Sequence, residues 1–172
     1  NGNAVNAENI NTLMFQANYV GTNHDFEEGL GNRNGISGMN SWSAYENAVI
    51  RIGGEIEDKK QNYFASSSET AINLSYQGSA KIEGNTFGTG EKGTEQLGNN
   101  VAVRTRNHRG RIDIGGSTKT KNIFAYNETA VIGDDNNFVR VSENSFDCNA
   151  RGLSVTNNAH PIPVIKSGVE TI

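Results

Sequence analysis

Five side chains able to carry positive charge fall within one short stretch: Arg104, Arg106, His108, Arg109 and Arg111. Residues at 104 and 106 share one face of a strand, and the turn Asn107 to Gly110 leads into a second strand at Arg111. Such a cluster could hold the carboxylates of an acidic glycan, or could pair with Glu55, Glu57 and Asp58 upstream. The carboxylates offer two further arrangements. Asp25, Glu27 and Glu28 lie in a Gly- and Asn-rich loop and are oxygen ligands of the kind Ca²⁺ takes. Gly133-Asp134-Asp135 could supply the paired acid and base of a glycoside hydrolase, although Asp134-Asp135-Asn136-Asn137 also reads as an ordinary turn. Trp42 and Tyr45 sit between two strand segments, where they could stack on a sugar, or where Trp42 could cap the end of a coil. No Ser-His-Asp order, phosphate loop or zinc pattern is present, and His24, His108 and His160 are isolated.

Whether these groups converge depends on the elements that carry them, and internal repeats dominate that question. Asn-x-Phe occurs at Asn62-Tyr63-Phe64, Asn85-Thr86-Phe87, Asn122-Ile123-Phe124 and Asn144-Ser145-Phe146. The intervals Phe64 to Phe87 and Phe124 to Phe146 are nearly equal, and the interval Phe87 to Phe124 is longer. That long interval holds a Gly-rich stretch, 88–100, which reads as an inserted loop. Ile-Gly-Gly occurs at Ile52 and again at Ile114. The offsets Ile52 to Ile114, Phe64 to Phe124 and Phe87 to Phe146 are 62, 60 and 59, a super-repeat of about 60 residues that the spacing divides into three turns. Between the markers lie short alternating segments such as Ala48 to Ile52, Ala80 to Glu83, Arg111 to Ile114 and Phe138 to Val141, which read as strands. Residues 4–17 are the best helical candidate, or else a fraying first turn.

Strands this short are not stable alone. If each coil uses a fixed length, every strand lands above its equivalent and bonds to it at about 4.8 Å spacing. The expected fold is therefore all-β: a right-handed parallel β-helix, about seven coils of roughly 20–23 residues and on the order of 35 Å tall. Asparagine at a coil corner can hydrogen-bond the asparagine above and below. A β-sandwich also has short strands, but the fixed period and the lack of two-residue Asn-Gly hairpins argue against it.

Composition agrees. Only 34% of residues are hydrophobic, with 20 glycines and 2 prolines, lean for a compact enzyme but sufficient where each coil adds a few inward side chains. The formal charge of −4 is scattered, with no basic run to track phosphates, so neither nucleic acid nor an anionic membrane is an expected partner. No run is long enough to span a bilayer. The single cysteine, Cys148, excludes an internal disulfide and reads as a buried structural thiol. The chain does not start like a signal peptide and reads as a fragment whose open ends would meet more protein.

Asn18-Tyr19-Val20-Gly21-Thr22-Asn23, followed by Gly31-Asn32-Arg33-Asn34-Gly35-Ile36, resembles the β-helix repeats of large Bacteroidetes surface proteins. The Ile-Gly-Gly steps and Asn-x-Phe turns fit the same pattern, and Asn157 to Ile165 resembles the exit from such a helix. The resemblance covers about residues 15–172. It implies an exported, multidomain, secreted or cell-surface bacterial protein, often a type IX secretion cargo with adhesin-like or gliding-associated roles, and it brings no catalytic residues. On this reading residues 1–160 form the β-helix, with 1–14 an uncertain first turn, and 161–172 lead toward a following domain. Neighbouring domains of the same polypeptide and surface glycans are the implied partners.

The scaffold also houses galacturonases and polysaccharide lyases. The galacturonase order Asn-Thr-Asp, Asp-Asp, Gly-His-Gly, Arg-Ile-Lys is met only at Asp134-Asp135, and Asn107-His108-Arg109-Gly110 precedes that pair instead of following it. A lyase would need Ca²⁺ and a base, for which the residues named above are the candidates. The sequence therefore favours a non-catalytic structural or adhesive module without a required cofactor. Trp42, Tyr45, Arg104, Arg106, His108, Arg109 and Arg111 are its candidate ligand-binding residues, and a carbohydrate-active enzyme is the alternative.

Overall fold

The structure is a computed structural model that describes residues 2–39, 47–75, 78–107, 109–136 and 138–156. Among the described residues there are no helices, and sixteen strands stack into three parallel sheets. The first sheet takes β1 (Asn3–Glu8), β4 (Asn34–Met39), β7 (Thr70–Ser75), β10 (Val101–Arg106), β13 (Thr129–Asp134) and β16 (Arg151–Thr156). The second takes β2 (Thr12–Phe15), β5 (Val49–Gly53), β8 (Ser79–Glu83), β11 (Arg111–Gly115) and β14 (Phe138–Ser142). The third takes β3 (Tyr19–Val20), β6 (Tyr63–Phe64), β9 (Thr86–Phe87), β12 (Ile123–Ala125) and β15 (Ser145–Asp147). Each strand pairs with the strand three later, which is the topology of a parallel β-helix solenoid.

The described residues make five complete coils and the first strand of a sixth, where the sequence spacing predicts about seven. The coils are longer than expected. Asn3, Asn34, Thr70, Val101, Thr129 and Arg151 stand in one register, so each coil runs from one of these positions to the next. The coil from Asn34 to Thr70 is the longest, and only the last, Thr129 to Arg151, has the compact length that the Asn-x-Phe spacing suggests. Residues 4–17, the helical candidate, form β1 and β2, because their backbone is claimed by pairing with β4 and β5.

The super-repeat is two coils, not three. Ile52 pairs with Ile82 and Ile82 with Ile114. Its origin is an alternation at the corner between the second and third sheets. In coils one, three and five this corner is a single residue with positive φ (Ala17 at 58°, Gly84 at 65°, Glu143 at 56°) directly before the corner asparagine. In coils two and four it opens into a loop, residues 54–61 and 116–121, each entered through Ile-Gly-Gly. The first glycine of that step is required. Gly53 has φ of 82°, and a Cβ there would lie 2.0 Å from the Glu83 carbonyl oxygen and 2.4 Å from Asn85 Oδ1; Gly115, at 77°, meets Ser142 and Asn144 in the same way.

Three side-chain columns bind the coils inside. Phe64, Phe87, Phe124 and Phe146 stack with centroids 5.1, 4.8 and 5.1 Å apart and planes within 13°. Isoleucines and valines of the first two sheets fill the rest of the core. The corner asparagines Asn18, Asn62, Asn85, Asn122 and Asn144 form a ladder. Each Nδ2 donates to the next Oδ1 at 2.8–3.1 Å, and from Asn62 onward it also donates to a backbone carbonyl of the coil below, at 2.8–2.9 Å. A second ladder, which the sequence repeats do not reveal, runs through Asn99, Asn127 and Asn149 at the corner after the third sheet. Buried amides are thereby satisfied on both donors and on the acceptor.

Candidate functional site

The second sheet is where polar chemistry gathers on a regular frame. Its strands alternate, so Ile50, Ile82 and Ile114 point into the core. The intervening positions face out in two rows. One row is Met14, Arg51, Lys81, Asp113 and Arg140. The other contains Thr12, Val49, Ser79, Arg111 and Phe138. Four cations thus share one face with two carboxylates, Asp113 and Glu83, on a chain whose net charge is −4. Three of the large apolar side chains that remain exposed, Met14 at 63%, Val49 at 38% and Phe138 at 39%, lie on the same face.

Not all of that positive charge is free. Arg111 donates from Nε and Nη2 to the two carboxylate oxygens of Asp113 at 2.8 and 2.9 Å, a bidentate pair that raises the arginine pKa above its ordinary value. Its guanidinium carbon also lies 5.2 Å from the Phe138 ring centre. Lys81 Nζ is 3.8 Å from Glu83. Arg51 and Arg140 have no hydrogen-bond or ion-pair partner among the described residues.

The corner loops of coils two and four rise beside this sheet and meet each other. Ile56 N donates to the Lys119 carbonyl at 3.1 Å, Lys119 Nζ is 3.3 Å from Glu57, and Gly84 N donates to the Thr120 carbonyl at 2.8 Å. The alternation that creates the two-coil period therefore builds a wall along one side of the sheet. Three shallow hollows lie on this face, two of them against the wall. One lies over Ile50 and Ala80, between Arg51, Lys81 and Arg111. A second runs from Lys81 and Arg140 to Ser117 and Thr120. The third runs from Met14 and Arg51 to Glu55, Lys60 and Thr120.

The arginine cluster of the sequence does not stay together. Arg104 and Arg106 belong to β10, on the first sheet, where Arg104 aligns with Asn73 and Ile132 and Arg106 with Asp134. Arg109 is exposed in the turn, and Arg111 emerges on the second sheet, round the corner. Arg104 Nε is enclosed without a hydrogen-bond partner. Glu57 and Asp58 pair with Lys119 and Lys60 instead of with these arginines. Trp42, Tyr45 and His108 lie outside the described residues.

The acidic candidates are likewise separate. Asp25 is 3.1 Å from His24 Nδ1, and the backbone N of Glu27 donates to Asn23 Oδ1 at 3.0 Å in a local turn. Asp135 has φ of 50° in the turn after β13, while Asp134 accepts from Thr156 Oγ1 at 2.6 Å. Among the described residues no group of three or more His, Cys, Asp or Glu side chains could hold a metal ion, and no helix is long and apolar enough to cross a membrane. Cys148 is exposed, not buried: it occupies a turn position with φ of 49°.

Sequence reasoning missed Arg51, Lys81 and Arg140. A signal was present, because Arg51, Lys81, Arg111 and Arg140 recur at nearly equal intervals, one to each of coils two to five. It becomes readable only once the true coil length is known. In comparisons with known proteins the chain matches no family model, no curated protein and no solved structure.

Proposed function

We propose that this chain is a non-catalytic structural and adhesive β-helix segment of a larger secreted or cell-surface bacterial protein, a stiff support that presents its outer faces to ligands. The observation that carries the reading is the pair of asparagine ladders flanking an unbroken phenylalanine stack. These columns spend the chain's corner residues on tying coil to coil, and solenoid stability is built from such nearest-neighbour contacts. Variation in length and charge is confined to the corners and outward faces. The resemblance of Asn18 to Ile36 to Bacteroidetes surface repeats supports export, with type IX secretion as the route.

Location tests the reading. Antibody against the chain should detect the parent protein in the culture medium, or on intact cells whose signal is removed by external protease. Detection only in the cytoplasmic fraction would contradict the proposal.

A further inference from the structure

We infer that the outward face of the second sheet binds a linear anionic polysaccharide, a polyuronate or sulfated glycan lying along the solenoid axis beside the wall formed by residues 54–61 and 116–121. Arg51, Lys81 and Arg140 occupy one register row, so their charges recur at the coil spacing of about 4.8 Å or its multiples. Arg51 and Arg140 are exposed with no partner among the described residues, so binding an anion breaks no existing pair at either. Asp113, the one carboxylate in the row, is already neutralised by Arg111.

The shape selects a polymer. The hollows are shallow and follow one another along the face, and the exposed methionine and valine side chains beside the cations suit the C–H faces of pyranose rings. A peptide docking by strand addition would need free backbone groups, and this sheet's are used between coils; poly-glutamate tests recognition by charge alone. A nucleic-acid duplex is a polyanion too and meets the same net charge of −4, so duplex DNA is one of the ligands the test compares. The inference rests on the display reading in one respect: the glycan is held and not cut.

Affinity electrophoresis of the full chain tests it, in gels containing sodium polygalacturonate, dextran sulfate, neutral dextran, poly-glutamate or duplex DNA. Polygalacturonate or dextran sulfate should retard the protein, and added salt should weaken the effect. The double variant Arg51→Glu/Arg140→Glu should bind at least about tenfold more weakly. Arg151→Glu, on the first sheet, should bind like the parent. Far-UV circular dichroism checks folding, and Arg51→Gln/Arg140→Gln replaces the reversal if that variant fails to fold. Absence of retardation, equal retardation of parent and double variant, or equal retardation by poly-glutamate or DNA would overturn the inference. Shortening of the polysaccharide would instead contradict the display reading, so the two failures are distinguishable.

Discussion

Asn85 donates its side-chain amide to Oδ1 of Asn122 at 3.1 Å, although the two are far apart in the sequence. The same Nδ2 donates to the Ile52 carbonyl at 2.9 Å, and Asn85 Oδ1 accepts from the backbone N and Nδ2 of Asn62. One buried side chain thus joins three coils, and its role requires both an amide donor and an acceptor.

Asn85→Asp keeps the size and removes the donors. It leaves Asn122 Oδ1 and the Ile52 carbonyl each one donor short and buries an anion in their place. Asn122 Oδ1 keeps the Asn85 backbone N at 2.9 Å, so the cost comes from the withdrawn side-chain donors and the buried anion, about 2–5 kcal/mol. Urea unfolding of the two proteins measures this, and an unchanged midpoint would mean that the ladder contributes little.

The second ladder has a gap. Ser67 stands where Asn99, Asn127 and Asn149 stand in later coils; its backbone N donates to Asn99 Oδ1 at 3.0 Å, while its own Oγ is buried without a partner. Ser67→Asn should place an amide between Asn99 Oδ1 and the Val20 carbonyl, as Asn99 does at Phe64. The expected gain is about 1 kcal/mol, seen as a raised Tm. A fall in Tm would show that the pocket is already filled.

Much of this frame is legible in the sequence. Asn-x-Phe marks one coil each because stacking puts Asn on Asn and Phe on Phe. The coil number is not legible in the same way. A corner loop and a coil look alike in spacing, so 54–61 and 116–121 count toward extra coils when only the sequence is read. The first coil also hides, since β2 carries Phe15 but β3 ends in Val20 where later coils have phenylalanine. The cationic face depends on register between strands of successive coils, and no local pattern reveals it. Arg104 to Arg111 shows the converse, because neighbours in sequence pass round a corner onto different sheets.

Tyr63 is packed under Phe26, with ring centres 4.8 Å apart, and lies parallel to Tyr19 at 5.3 Å. Burial, with the nearby Glu91 carboxylate, pushes its pKa up to about 12, against the opposing hydrogen bond from Gln61. A raised folded value means that the native state keeps this proton after the unfolded chain would release it. Its contribution to stability is therefore complete below pH 10 and is lost as pH rises through about 12. Ultraviolet titration should show a late-ionising tyrosine that is missing from Tyr63→Phe. All five tyrosines ionising together near their ordinary value, with the fold intact, would contradict the packing.

Cys148 is exposed, yet its thiol is 3.2 Å from the Asp147 carboxylate. That hydrogen bond, then burial and the carboxylate's charge, raise the thiol pKa. Less thiolate is present at neutral pH, so iodoacetamide should react more slowly than with a model peptide, and faster as pH increases. Asp147→Asn should accelerate the reaction at neutral pH. An unchanged rate would mean that the carboxylate does not control the thiol.

On the proposed function this scaffold is non-catalytic, and on the further inference it holds an anionic glycan without cutting it. The most direct test is incubation of the purified chain with polygalacturonate and with sulfated glycans, with and without Ca²⁺, followed by chain-length analysis and absorbance of unsaturated uronate ends. Polymers of unchanged length and no new ends are expected. Sustained release of unsaturated or reducing ends in proportion to protein would contradict the proposal.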